Sequence, residues 1–310
     1  MTTFAALGDS ITLGMGDPVP GGWRGWAALL ADGLHEPTLH NLATSGALSD
    51  HVESVQLPAA LALRPDIASV VIGVNDTLRG GFDPERVGAS VARTVEALTA
   101  AGSVVLTMRL PDPGQMLRIP GGLARPLARR MAAVNVELDA IAARYQTVHF
   151  DAASDPGTYD RRNWSVDRLH PNERGHRMIA CRFWDAMASG PCPGGRRLGT
   201  RPDPAPSSQP PTRREEMAWM ATKGTAWMLR RSVDLVPYLL FMTVREWLMG
   251  ETAPRALPPG TEHAAEEAVV DHAGLHLRVG RRAPRLRRWL AVGRVVTDSG
   301  HIAGLLPVRL

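Results

Sequence analysis

Cysteine is nearly absent. Cys181 and Cys192 are the only two in 310 residues, so no disulfide framework staples the fold, and the default compartment is a reducing one. Lysine is scarce too: nearly every basic residue is Arg. A local run of arginines therefore reflects the habit of the whole chain and says little about nucleic acid. No basic n-region followed by an apolar h-region opens the chain, which predicts a cytoplasmic location. Long hydrophobic runs are missing as well. The most apolar stretch, Val233 to Val244, covers roughly 18 Å as a helix, against a bilayer core of about 30 Å. Asp234 and Pro237 interrupt it, which excludes a membrane span. No internal repeats are present.

What remains is ordinary for a globular protein: 44% hydrophobic and 21% charged residues, enough to bury a core. The charge is uneven. Residues 1–190 carry 17 basic against 20 acidic groups, and residues 191–310 carry 18 against 11. All of the excess basicity lies in the second part.

Along residues 1–190, short β-branched or apolar runs alternate with helical periodicity. Strands are expected at 3–8, 38–43, 67–72, 104–108 and 148–150. Helices are expected at 23–34, from about 50 onward, and at 84–101, 123–145 and 172–188. Pro84 stands in the first turn of one of them and Gly102 just past its end. This alternation predicts a parallel sheet with helices on both faces and right-handed connections. The character then changes. Residues 191–212 are dense in Pro, Gly and Ser and read as a linker. Thr212 and Glu215 form a capping-box pattern that opens a helical segment, 213–250, split by Pro237. A basic region, 251–310, follows.

In such a sheet, reactive groups gather beyond the carboxyl ends of the strands. Gly8-Asp9-Ser10 follows the first strand, Gly46 the second and Gly73-Val74-Asn75-Asp76 the third. Asp167 and His170 lie in the loop after the fifth. Acyl transfer needs these parts. A serine hydroxyl needs an adjacent base, which His170 can be, and Asp167 can orient that imidazole. The backbone N–H groups of Ser10 and Gly46 and the side-chain amide of Asn75 are candidate donors for an oxyanion. Asp9 and Asp76 are expected to brace the turns, as loop aspartates usually do.

Together, GDSI, the Gly of ATSG, GVND and DRLHPNERGH resemble the SGNH (GDSL-type) hydrolase superfamily, in family order across residues 8–176. The resemblance implies a flavodoxin-like three-layer α/β/α sandwich with a central parallel sheet, here followed by a mostly helical and basic C-terminal extension. It implies an esterase, lipase or deacylase acting on a small-molecule ester. Ser10 would be the nucleophile, His170 the base and Asp167 the orienting acid. Ser10, Gly46 and Asn75 would form the oxyanion hole.

The rival readings are an O-acyltransferase acting on a metabolite or sugar, and a non-catalytic scaffold working through the C-terminal region. No metal or cofactor is expected, because His170, His176 and Asp167 match no zinc spacing. His176 reads as a packing or capping residue, and Trp23 and Trp26 as core. Residues 213–250 concentrate Met and aromatic side chains that something must cover. Intramolecular packing or a homodimer is favoured over a peripheral membrane contact.

Overall fold

A computed structural model describes residues 1–117, 121–189, 197–219 and 221. The chain begins with β1 (Thr2–Gly8) and a single helical turn, α1 (Ser10–Leu13). A two-strand hairpin, β2 (Pro18–Val19) with β3 (Gly22–Trp23), precedes α2 (Gly25–Ala31) and β4 (Pro37–Asn41). Then come α3 (Ser49–His51), a π-turn over Val52–Gln56 and α4 (Leu57–Leu63), followed by β5 (Ile67–Val71) and α5 (Val74–Thr77). Next are α6 (Pro84–Ala100), β6 (Val104–Arg109), α7 (Pro113–Met116), α8 (Gly121–Tyr145) and β7 (Val148–Asp151). The last described helices are α9 (Glu173–Ser189) and α10 (Arg213–Trp219).

The five long strands form one parallel sheet in the order β4-β1-β5-β6-β7. Counted among themselves, the order is 2-1-3-4-5, the flavodoxin-like arrangement. Its topological switch point lies beside the first strand, where neighbouring connections leave in opposite directions and open a crevice. Every residue of β5 is buried, as a strand covered on both faces must be. Helices α2 and α9 pack together on one face, while α4, α6 and α8 cover the other. The first layer is held by aromatic packing. Trp26 lies 4.9 Å from Phe183 and 6.4 Å from Phe4, and Phe150 meets Phe183 edge-on at 5.8 Å.

Two expectations are corrected. Trp23 is not core: it sits in the hairpin, 43% exposed, while Trp26 is fully buried. The helix begins only at Gly25, because Trp23 is held in an antiparallel bridge to Pro18. The stretch expected as a linker does not stand free once it reaches Arg197. Leu198 bridges Leu34, and His35 N–H and Gly199 N–H donate to the carbonyls of Arg197 and Gly33. Farther on, Arg201 forms a two-pronged ion pair with Asp185 at 2.7 and 2.8 Å. Glu173 accepts from Ser207 N, Ser207 Oγ and Ser208 N at 2.7–3.0 Å. Residues 197–212 are therefore a strap on α2 and α9. Composition could not reveal this, since the partners of the strap lie on distant parts of the chain.

Thr212 and Glu215 do form the capping box. Glu215 Oε2 accepts from Thr212 N at 2.8 Å, and Thr212 Oγ1 accepts from Glu215 N at 3.3 Å. The Met- and aromatic-rich stretch beyond residue 221, Pro237 and the basic region 251–310 lie outside the described residues. No described helix is long and apolar enough to cross a membrane.

Candidate active site

β1 ends at Gly8, and Asp9 caps the turn that follows, its Oδ1 accepting from Ile11 N at 3.0 Å. Ser10 is the first residue of that turn, where backbone N–H groups have no partner within the helix. Behind it, the side-chain amide of Gln56 pairs with both polar groups of Gly8, at 2.8 and 2.9 Å. The nucleophile candidate thus stands on a turn that is hydrogen-bonded from two sides.

His170 reaches this turn from the loop before α9. Its Nε2 lies 3.0 Å from Ser10 Oγ, and its Nδ1 lies 2.7 Å from Asp167 Oδ2. Asp167 Oδ1 also accepts from the N–H groups of Leu169 and His170, at 2.9 and 3.1 Å. Burial alone would raise the Asp167 carboxyl. Its bond to His170, the imidazole's charge and the two N–H donors hold it below the ordinary value instead. Arg168 adopts a left-handed conformation (φ 56°) between them, which folds the loop tightly enough for Asp167 and His170 to meet.

The segment PNERGH explains itself in this setting. Asn172 caps α9, its Oδ1 accepting from Gly175 N at 3.1 Å, while its Nδ2 donates to the carbonyls of Arg162 and Trp164. A Cβ at Gly175 would lie 2.2 Å from Asn163 O and 2.8 Å from Pro171 Cβ, so only glycine lets the loop lie on the helix. His176 is fully buried. Its Nδ1 accepts from Trp26 N at 3.2 Å and its Nε2 donates to Met15 O at 3.0 Å. Met15 N in turn donates to Ser10 O at 3.0 Å. Burial pushes the His176 imidazole down to about 4, so it is neutral and fixed in one tautomer by its two partners.

The three donor candidates occupy the ends of β1, β4 and β5. Gly46 has φ +78°, with no atom within 4 Å of where a side chain would begin, so the space beside its backbone is open. Asn75 Nδ2 lies 3.1 Å from both Asp9 Oδ2 and Ala47 O, which are carried by the chain neighbours of Ser10 and Gly46. Both protons of that amide are engaged, and an incoming oxyanion would exchange for one of these acceptors. Burial pushes Asp9 up to about 6, against the stabilising Ile11 N–H and His170 charge. Burial likewise raises Asp76, whose Oδ1 accepts from Ser49 Oγ and Ser49 N at 2.7 and 3.1 Å. Asp9 thus holds the turn after β1, and Asp76 joins α5 to Ser49.

Three polar side chains that the sequence did not single out hold the rim. Gln56 holds Gly8 as described. Asn135 of α8 pairs with both Leu110 N and Leu110 O at 2.8 Å. Arg130 of α8 donates to Thr77 O and Arg79 O at 2.7 and 2.9 Å, and lies 4.8 Å over Phe82. Each sits on a helix in an otherwise apolar repeat, and nothing local marks it as different from a solvated polar residue. A narrow apolar cavity of about 30 Å³ borders the site, lined among others by Ile11, Leu110, Trp164, Pro171 and Met178.

A doubly covered parallel sheet with a Ser-His-Asp series at its switch point defines a hydrolase of the α/β/α sandwich class. The chain belongs to the GDSL-like lipase/acylhydrolase family, whose model matches residues 6–178. It is similar to the crystal structure of the lipase/acylhydrolase from Enterococcus faecalis, with 18% identity and a TM-score of 0.51, covering 66% of this chain and 100% of that one. A variant of Axe2, an acetyl-xylooligosaccharide esterase from Geobacillus, gives 18% identity and a TM-score of 0.50, with 60% of this chain and 93% of that one covered. TesA gives 24% identity and a TM-score of 0.47, with 60% and 97% covered. No curated protein matches the chain.

Proposed function

We propose that this hydrolase cleaves carboxylic esters through an acyl-enzyme on Ser10. The observation that carries the reading is the unbroken series Ser10 Oγ–His170 Nε2–His170 Nδ1–Asp167 Oδ2, at 3.0 and 2.7 Å. In this reading, neutral His170 takes the Ser10 proton as Oγ attacks the ester carbonyl. Asp167 holds the imidazole in the tautomer with Nδ1–H and stabilises the imidazolium that forms. The carbonyl oxygen becomes an oxyanion that accepts from Ser10 N–H, Gly46 N–H and Asn75 Nδ2. Each such donor is typically worth about 2.7–4 kcal/mol in the transition state. His170 then protonates the leaving alkoxide, water attacks the acyl-enzyme with His170 again as base, and Ser10 is released.

The narrow apolar cavity next to Ile11 and Pro171 favours short acyl groups. The test is hydrolysis of p-nitrophenyl esters of increasing acyl length by the wild type and Ser10→Ala, with fluorophosphonate labelling of both. Turnover that peaks at short acyl lengths, and labelling and turnover that both vanish in the variant, are expected. Hydrolysis retained by a folded Ser10→Ala protein would overturn the mechanism. Adding a competing alcohol to the wild-type reaction separates transfer from hydrolysis by the product ratio.

A further inference from the structure

A second cavity, about 230 Å³, is walled by Arg162, Arg174, Arg182 and Arg201, together with Asp160 and Pro204. Arg162 comes from the loop that leads to Asp167 and His170. Arg174 and Arg182 project from α9, and Arg201 and Pro204 belong to the strap. Three of the guanidiniums already have carboxylate partners. Arg162 grips Asp160 through Nε and an amino nitrogen, Arg201 grips Asp185 in the same way, and Arg182 pairs with Asp155. A guanidinium bound in this two-pronged way keeps three further N–H donors. Among the described residues Arg174 has no such two-pronged partner, and its Nε is buried without a hydrogen bond. Four positive groups thus stand against three carboxylates, with Asp160 near both Arg162 and Arg174, which leaves a surplus of N–H donors around one opening.

We propose that this cavity binds a phosphate group, and that occupancy fastens the strap to the domain. Planar guanidinium forks suit the oxygens of phosphate, and charge-assisted bonds of this type are the strong ones. Phosphate also fits the number of donors better than a carboxylate, which would offer only two oxygens to four arginines. Asp160, which lines the cavity, is the group that repels an anion. The bound group would meet it across the Arg162 fork. Arg174 stands on the helix and Arg201 on the strap, so one bound anion bridges the two. Through Arg162 it would also meet the segment that leads to the candidate base, where Arg162 O accepts from Asn172 Nδ2 at 2.9 Å.

The experiment is isothermal titration of the full chain with inorganic phosphate and, separately, glycerol 3-phosphate in low-salt Hepes, with Tm and limited proteolysis followed alongside. Saturable binding, a raised Tm and slower cleavage within residues 197–212 are expected. Arg174→Gln and Arg201→Gln should each weaken binding at least tenfold while remaining folded by circular dichroism. Ser10→Ala should bind as the wild type does, which separates this site from the ester site. Tighter binding of glycerol 3-phosphate would assign the site to an organic phosphate ester, and tighter or equal binding of inorganic phosphate to the free ion. No saturable binding of either probe at millimolar concentration overturns the proposal. So does unchanged affinity in both folded arginine variants, or phosphate binding that Ser10→Ala abolishes.

Discussion

The side-chain amide of Gln56 closes on Gly8 as a strand partner would, with Oε1 accepting from Gly8 N at 2.8 Å and Nε2 donating to Gly8 O at 2.9 Å. Both groups are buried at the point where β1 turns toward Ser10, and Gly8 O also accepts from Thr44 N at 3.2 Å. Gln56→Leu keeps the approximate volume and leaves the buried N–H of Gly8 without its partner, while Gly8 O keeps the N–H of Thr44. An unsatisfied buried group costs about 1–3 kcal/mol, so the variant should lose roughly that much in urea unfolding at neutral pH. A loss below about 0.5 kcal/mol would show that water replaces the amide.

Gly175 lets the loop before α9 lie on the helix. In Gly175→Ala, the new Cβ would begin 2.2 Å from Asn163 O, and the loop that carries His170 must move. A displacement near 1 Å at a catalytic group can cost about 10²-fold. The expected result is a fall of that order in kcat, with a much smaller change in Tm. A wild-type kcat would show that the loop absorbs the methyl without moving His170.

Asp9 and His176 oppose each other in acid. The folded-state value of His176 is lowered to about 4, so its contribution is full above the ordinary value for His and is lost as pH falls toward 4. Over that window the loss is about 3 kcal/mol. Asp9 is raised to about 6, so its ionisation costs the folded state, and stability rises as pH falls from 6 toward 4. That gain is also about 3 kcal/mol. The two should nearly cancel in the wild type between pH 6 and 4.5. Urea unfolding across this range should show His176→Gln gaining stability toward acid and Asp9→Asn losing it. Parallel profiles for the two variants would contradict these assignments.

Glu173 is the buried anchor of the strap. Burial would raise its carboxyl, but Ser208, Ser207 and Arg177 hold it well below the usual carboxylate range. Arg24 adds a contact at 3.3 Å and also pairs with Asp17 at 2.9 Å, tying the strap to the loop after Ser10. Glu173→Gln keeps the shape and removes the charge. Protease cleavage within 197–212 should accelerate several-fold, while the sheet domain stays folded. An unchanged cleavage rate would mean that the contacts of Arg197, Leu198 and Arg201 hold the strap unaided.

Asp167→Asn should retain the loop through Leu169 N–H and lose the tautomer control of His170. A fall in kcat of about 10³–10⁴, with little change in KM, is expected by analogy with other Ser-His-Asp sites. Steady-state kinetics on a short-acyl ester decide it.

The sheet and the rim were legible in the sequence because they rest on local rules. Short β-branched, mostly apolar runs such as Ile67–Val71 fit strands buried on both faces, and the helices between them repeat apolar residues at helical spacing. Ser10, Gly46, Asn75, Asp167 and His170 could be placed at one rim because each follows a strand or lies in the loop after the last one. The capping box at Thr212 and Glu215 was legible for the same reason, since both partners lie within one turn.

What the tertiary structure decided involves partners far apart in the chain. Gln56 meets Gly8 across 48 residues, Arg130 meets Thr77 across 53, and His176 meets Met15 across 161. A polar residue on a helix has the same local pattern whether it faces water or closes a buried turn, so no spacing marks these side chains. Trp23 left the core because a bridge to Pro18 holds it in the hairpin and the helix starts only at Gly25. Residues 197–212, whose composition reads as a linker, became a strap because the carboxylates of Asp66, Glu173 and Asp185 stand where its arginine and serine donors can reach them. Sequence by itself determined which residues can form the sheet and which chemistry its rim can carry. Burial, and the need to satisfy every polar group within it, decided which distant side chains hold that rim in place.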